Sequence, residues 1–321
     1  MNRITPEVTI CIVPRERFSC AVDSLKDIVR NTKCPYELIY VDGNSPPSIA
    51  SQLSDICDTN NFTYIREDSY LSPNAARNIA LSRVKTSFAA FADNDLFVSQ
   101  GWLSNLLQCA KETGAWAVGP IVMEGSKTLP VIHIAGGDLV EDKLGDYNRV
   151  RQRHRHMFQT LGSVRRKLVR EAVGSFEFHC VLLRIDVFDN RQFLDEGFLS
   201  HQEHLDHARE IRMAGGAVYF EPRSIVRYEV TRPFEEYDRE YFVLRWGDDW
   251  SNKSIEHARE KWGLAPDDAG MVRLAAWTGR HRGLFEQSHT SWPRRILPIL
   301  IRRHTSLWLR RLRIIPPREL R

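Results

Sequence analysis

The stretch Phe88-Ala89-Ala90-Phe91-Ala92 is apolar throughout and runs straight into Asp93-Asn94-Asp95. An apolar run of this length reads as a strand covered on both faces, which calls for helices on each side of a sheet. The carboxyl end of such a strand is where an open α/β sheet presents its chemistry. Two acids one residue apart can bring oxygens to one hard divalent cation. The same short pattern also suits an acidic turn in which Asp95 caps the next element.

Other segments repeat that logic. Val8 to Val13 is an apolar strand closed by Pro14, Leu38 to Val41 ends on Asp42-Gly43-Asn44-Ser45, and Phe62 to Ile65 is a further strand. Helical spacing lies between them: Val22, Leu25, Ile28 and Val29 after a capping Ser19, then Ser48 to Cys57, Pro73 to Val84 and Gly101 to Thr113. Strands alternating with helices predict βαβ units and a mostly parallel sheet. No Gly-x-Gly-x-x-Gly follows any of these strands and no Walker loop is present, which removes dinucleotide oxidoreductases and P-loop enzymes.

Beyond Trp116 the rhythm changes. Trp116 to Met123, Val131 to Ile134, Phe178 to Arg184, Val218 to Phe220 and Ile225 to Tyr228 read as strands, with Gly136-Gly137 as a turn. Glu203 to Ala214 reads as a helix ended by Gly215-Gly216. The basic segment from Arg151 to Arg170 is expected to be a mobile loop or helix over the site, and the chain is helical from Phe234 onward.

With 321 residues the chain can bury a large core as one big domain or two smaller ones. Its six cysteines are scattered with no Cys-x-x-Cys pair, which points to a reducing compartment. No signal-peptide core opens the chain and no apolar run approaches the roughly 20 residues of a membrane span, so a cytoplasmic protein is expected. The net charge of +4 is unevenly spread. Eleven arginines against Glu286 and Glu319 give the segment from Arg280 to Arg321 a charge of +9, leaving −5 for the rest.

Three acidic loci fall at or beyond strand ends: Asp42, the pair Asp93 and Asp95, and the group Glu203 to Asp206. Arg77, in Ala75-Ala76-Arg77-Asn78, stands near a helix start, where a guanidinium fork suits a diphosphate or an aspartate that must be aimed. Taken singly it is as easily a surface ion pair. His201, His204 and His207 recur at three-residue steps, without the cysteine or His-Glu-x-x-His partner of a zinc site. His179, beside Cys180, is either a metal or acceptor contact or a satisfied core histidine.

Taken in order, these residues resemble the inverting GT-A glycosyltransferases of family 2. The matching elements are Val8 to Pro14, Tyr40-Val41-Asp42-Gly43-Asn44-Ser45, Ala76-Arg77-Asn78, Asp93-Asn94-Asp95, Phe193-Leu194-Asp195-Glu196, and Glu203-His204-Leu205-Asp206 leading to Ala214-Gly215. The resemblance covers roughly Val8 to Tyr228. It implies a GT-A fold with a Rossmann-like, mostly parallel sheet, divided into a nucleotide-sugar-binding half (1–123), an acceptor-binding half (124–231) and a helical extension with a basic amphipathic tail (232–321). It implies that Pro14, Asp42, Arg77 and Asp93 contact the nucleotide. Asp95, with Asp93 and on the residue reading His179, would hold a divalent metal, Mn2+ or Mg2+.

The resemblance further implies transfer of a sugar from a nucleotide-sugar donor to a glycan, lipid-linked or other hydroxyl acceptor, with inversion. The sequence departs from the family at His204, which replaces the second acid of a Glu-Asp pair. Glu203 or His204 is then the base, with Glu203 preferred because a carboxylate is usual in this fold, and Asp206 orients the site or binds acceptor. A GT-A protein that binds without turnover and a retaining transferase are the alternatives. The arginine pairs and tryptophans between Trp292 and Ile315 suit an anionic membrane surface, while a docked helix is the plainer reading. Nucleic-acid binding has no module to support it.

Overall fold

A computed structural model describes residues 5–285 apart from 126–127, 129 and 189–192. The first half alternates as expected. In order come β1 (Val8–Val13), α1 (Ala21–Asn31), β2 (Glu37–Gly43), α2 (Pro47–Thr59), β3 (Thr63–Glu67), α3 (Pro73–Leu81), β4 (Phe88–Asp93), β5 (Leu96–Val98) and α4 (Trp102–Thr113). The second half holds β6 (Ala117–Glu124), β7 (Val131–Ile134), β8 (Gly137–Leu144), β9 (Tyr147–His154), α5 (Leu161–Val164), β10 (Glu171–Val173), β11 (Cys180–Arg184), α6 (Glu203–Met213) and β12 (Val218–Tyr228). Three helices follow: α7 (Arg239–Arg245), α8 (Asp248–Trp262) and α9 (Ala269–His281).

One sheet runs through both halves in the order β3-β2-β1-β4-β11-β6-β12-β10. β3, β2, β1 and β4 are parallel, β11 runs antiparallel between β4 and β6, and β12 is parallel to β6. Alternate side chains explain why β1 and β4 read as unbroken apolar runs. Ile10, Ile12, Ala90 and Ala92 pack with α1 and α4 on one face. Cys11, Val13, Ala89 and Phe91 pack with α3 and α6 on the other. A strand buried on both faces has no polar side to reveal its period.

Several expectations change here. The segment from Arg151 is not a mobile loop at its start: Arg151 to His154 complete β9, paired with β8 residue by residue. Its arginines alternate because they face acids on the partner strand, with Arg149 on Asp142 and Arg153 and Arg155 on Asp138. Gly136 turns with φ +79°, but Gly137 already belongs to β8. Val218 to Tyr228 is one strand with a bulge between Glu221 and Ile225, not two. Ser19 does not cap α1; its N–H and that of Phe18 donate to Asp238 Oδ1, at 3.1 and 2.6 Å. A buried acid from just before α7 thus supplies the acceptor the helix entrance needs.

Residues 233–285 are therefore stitched to the sheet. Trp262 of α8 packs with Phe198, Leu205 and Leu139 in a cluster bridging α6, α8 and the β8–β9 hairpin. No helix among the described residues is long and apolar enough to cross a membrane. The expected amphipathic segment from Trp292 to Ile315 lies outside the described residues.

His201 fastens α8 from the other side, its Nε2 3.0 Å from Ser251 Oγ. Burial lowers its pKa from 6.5 to about 4. The unfolded chain then takes up this proton first as the pH falls. The contribution to stability is complete above about pH 6.5 and is lost progressively toward about 4. By about pH 4.5 the loss amounts to about 2–3 kcal/mol. Urea unfolding of His201→Gln should show that much less acid sensitivity than the native chain between about pH 7.5 and about 4.5. Superimposable pH profiles would contradict a buried neutral His201.

Candidate active site

β4 delivers Asp93 to its carboxyl end, where β1 on one side and β11 on the other fix the backbone. Asp93 N–H donates to His179 O and Asn94 N–H to Val13 O. Asn94 then pins the loop after β1: its Oδ1 accepts from Arg15 N–H at 3.2 Å and its Nδ2 donates to Arg17 O at 2.8 Å. The middle residue of Asp-Asn-Asp is thus the strut that ties this turn to the loop after β1.

A cavity of about 540 Å³ opens against this strand end, lined by Arg15, Arg77, Asp93, His179, Glu203 and His204 among others. At its centre is Arg77, 2% exposed. One guanidinium nitrogen lies 3.7 Å from Asp93 Oδ1 and the other 3.5 Å from Glu203 Oε1, while Phe178 covers the guanidinium at 3.9 Å from its ring centre. α3 can place Arg77 here because Ala76 and Ala80 take its helix flush against the sheet. Asn74 Oδ1 accepts a third bond from Arg77, at 3.1 Å.

The two aspartates differ in surroundings. Burial raises Asp93 to about 6 against the lowering pull of Arg15 and Arg77. Burial raises Asp95 to about 7, with Arg15 again opposing and Asp93 and Glu16 adding like charge. Asp95 is fully buried, and neither of its oxygens has a hydrogen-bond partner among the described residues; the same holds for Asp93 Oδ1. Three orphaned carboxylate oxygens around one backbone turn are what a hard cation would satisfy. The residues fit a divalent metal.

Glu203 begins α6, 5% exposed. Burial pushes its pKa up, but the cations Arg77 and Arg245 outweigh this and hold it below the usual range. Its Oε2 is buried with no partner among the described residues. His204 also faces the cavity, but its Nε2 is engaged by Gln152 Oε1 at 3.0 Å and Glu177 Oε1 at 3.2 Å. His179 sits 3.0 Å from Asp93 Oδ2 through Nδ1, its ring stacked on Tyr228 at 4.2 Å. Burial, then Arg15 and neighbouring histidines, holds it neutral. A neutral ring facing a carboxylate donates from Nδ1.

The other expected residues stand apart. Asp42, 1% exposed, is held by Ser45, by Tyr64 OH at 2.6 Å and by Arg66 at 2.6 Å, and does not line the cavity. Pro14 is also outside the lining, its carbonyl oxygen accepting from Tyr241 OH at 3.4 Å. Asp206 turns to α8, accepting from Trp262 Nε1 at 2.8 Å and Lys261 Nζ at 2.6 Å. Lys261 also reaches Asp195 and Glu210, so this cation fastens α8 to α6. The structure brings together Arg77, Asp93, His179, Glu203 and His204. It keeps Asp42, Asp95, Pro14 and Asp206 behind that surface. Arg15, Glu177 and Arg245 also line the cavity, and each lies outside the motifs read in the sequence.

This sheet order, with the chemistry at the end of β4 and at the start of α6, defines the GT-A type of α/β fold. The Glycosyl transferase family 2 model matches residues 9–189, and the chain belongs to that family. A sequence search of curated proteins gives no significant match. Among solved structures, GalNAc-T7 with UDP, GalNAc and Mn2+ superposes with a TM-score of 0.55 at 14% identity, over 86% of this chain and 55% of that one. The chain thus spans only about half the length of that structure. The mannosyltransferase PcManGT from Pyrobaculum calidifontis, with GDP-Man and Mn2+, gives 0.54 at 13% identity, over 98% of this chain and 82% of that one.

Arg77→Met would leave Asp93 and Glu203 buried around an uncharged side chain. Removing one partner of a buried charge network costs about 3–5 kcal/mol, to be read by urea unfolding at neutral pH. A loss below about 1 kcal/mol would fit only an exposed, weak pairing.

Proposed function

We propose that the chain transfers a sugar from a nucleotide-sugar donor to a hydroxyl acceptor, with inversion, by a metal-assisted single displacement. The observation that carries this is the placing of Glu203 and Asp93 on either side of Arg77 in one cavity, with Glu203 Oε2 free of partners among the described residues. Residues 1–123 form the donor half and 124–231 the acceptor half. The fold neighbours crystallised with UDP or GDP-Man and Mn2+ are in keeping with such a donor.

Glu203 is the base: its lowered pKa keeps it ionised near neutral pH, and its open oxygen can take the acceptor hydroxyl's proton. His204 is a weaker candidate because its Nε2 already faces Gln152 and Glu177. Asp95 and Asp93 would hold Mn2+ or Mg2+, which supplies a positive charge against the departing diphosphate. Arg77 adds a fixed guanidinium beside Asp93 and Glu203, costing no reorganisation as charge develops. His179 orients Asp93 through Nδ1. Asp42, on Arg66 and Tyr64, would meet the base or ribose, and Asp206 holds α6 and α8 so that Glu203 keeps its aim. A role in surface-polysaccharide or glycoconjugate synthesis on the cytoplasmic side of a membrane fits the chain's basic end.

Glu203→Gln removes the proton acceptor while keeping size and polarity. Turnover should fall by about 10²–10⁴-fold with nucleotide affinity within about twofold of the native chain. Unchanged turnover would remove Glu203 as base, and affinity without turnover in the native chain would favour a binding protein. Product anomer by NMR separates inversion from retention. Asp95→Asn should abolish the gain in UDP-induced thermal stabilisation that Mn2+ provides. A gain equal to the native chain's would remove Asp95 from the metal.

A further inference from the structure

A second group of metal-binding side chains lines the same cavity beyond His179. His133 on β7, His154 at the end of β9 and Glu177 before β11 each offer one donor atom, and all three donors lie within 4.8 Å of one another. An ion bound at about 2.0–2.1 Å to each nitrogen needs donors about 3–4 Å apart, which small tilts of these side chains supply. Glu177 already draws His154 Nε2 to 2.8 Å.

Two further features mark this as more than a cluster of polar groups. His133 Nδ1 sits 3.2 Å from Glu124 Oε2, and that carboxylate accepts from Tyr228 OH at 2.7 Å. A carboxylate on one ring nitrogen is how a ligating histidine is usually oriented, with the other nitrogen given to the metal. His154 Nδ1 is buried with no hydrogen-bond partner among the described residues, so the ring has a nitrogen to spare. Two strands and the turn before β11 converge to make this arrangement, with Glu177 also reaching His204 on α6 at 3.2 Å.

We propose that His133, His154 and Glu177 form a transition-metal site, of the zinc type, on the cavity wall opposite α3, separate from Asp93 and Asp95. Two imidazoles and one carboxylate suit a borderline ion and leave a fourth position open. Facing the cavity, that position takes an oxygen of the acceptor. This last step rests on the transferase reading, whereas the metal site does not.

The test uses the full chain stripped with a chelator and dialysed against zinc or cobalt. The native chain should retain one zinc and, with cobalt, show the visible absorption of a four-coordinate ion. His154→Gln and Glu177→Gln should each weaken zinc by more than about tenfold, and Glu124→Gln by about 10–100-fold through loss of orientation. Asp95→Asn should bind zinc as the native chain does, and UDP stabilisation should persist in the His154 and Glu177 variants. Circular dichroism of the metal-free variants checks their fold. The cobalt spectrum of the native chain needs no variant. Absence of bound zinc and of the cobalt band, zinc retained undiminished in both ligand variants, or zinc lost in Asp95→Asn would each overturn the site.

Discussion

A guanidinium sealed between two carboxylates sets the terms for everything around it. Arg77 is 2% exposed and lies within 3.5–3.7 Å of both Asp93 and Glu203. Moving any of these charges out of water is costly, and their mutual attraction offsets that cost only while all three keep their positions. The sheet provides that rigidity. β1 and β11 hold the end of β4, α3 is drawn in by alanines, and α6 starts with Glu203 already facing inward. A site assembled this way has its electrostatics in place before anything binds, which is the condition for charge stabilisation without reorganisation.

The helices after β12 complete this environment rather than hanging from it. Asp238 supplies the acceptor for the backbone at the start of α1, and Arg245 stands 3.8 Å from Glu203. Tyr241 is fully buried, its ring 5.3 Å from those of both Phe18 and Tyr70, with its hydroxyl donating to Leu71 O at 3.0 Å. α7 therefore lies across the end of β1 and the loop leading to α3. On the far side, Lys261 gathers Asp195, Asp206 and Glu210, and that network sets where α6 begins. The position of Glu203 is thus coupled to the packing of α8.

Much of the first half of the fold was legible because its signals are local. Apolar runs of strand length, helical spacing and Asp-x-Asp all lie within a few residues, and β1 to β4 with α1 to α4 follow them closely. The β8–β9 hairpin was hidden because β9 alternates arginine with Val150, Gln152 and His154, a pattern that looks like a solvated loop until the facing acids of β8 are known. β5 is three residues long and carries no period. Asp206 looked like a site acid because it sits one turn into the same helix as Glu203; only the position of Trp262 shows which way it turns. His133 on β7, His154 on β9 and Glu177 before β11 are far apart in the chain, so no spacing could have joined them.

The central proposal is that Asp95 and Asp93 would hold a divalent cation supplying positive charge to the donor's diphosphate. Anomalous scattering at the manganese edge, from crystals of the chain grown with UDP and Mn2+, tests this directly. The account predicts a manganese peak on the Asp95 carboxylate with the diphosphate on its far side and Glu203 across the cavity. A diphosphate bound with no manganese near Asp95, or with the ion held only by residues elsewhere, would contradict it.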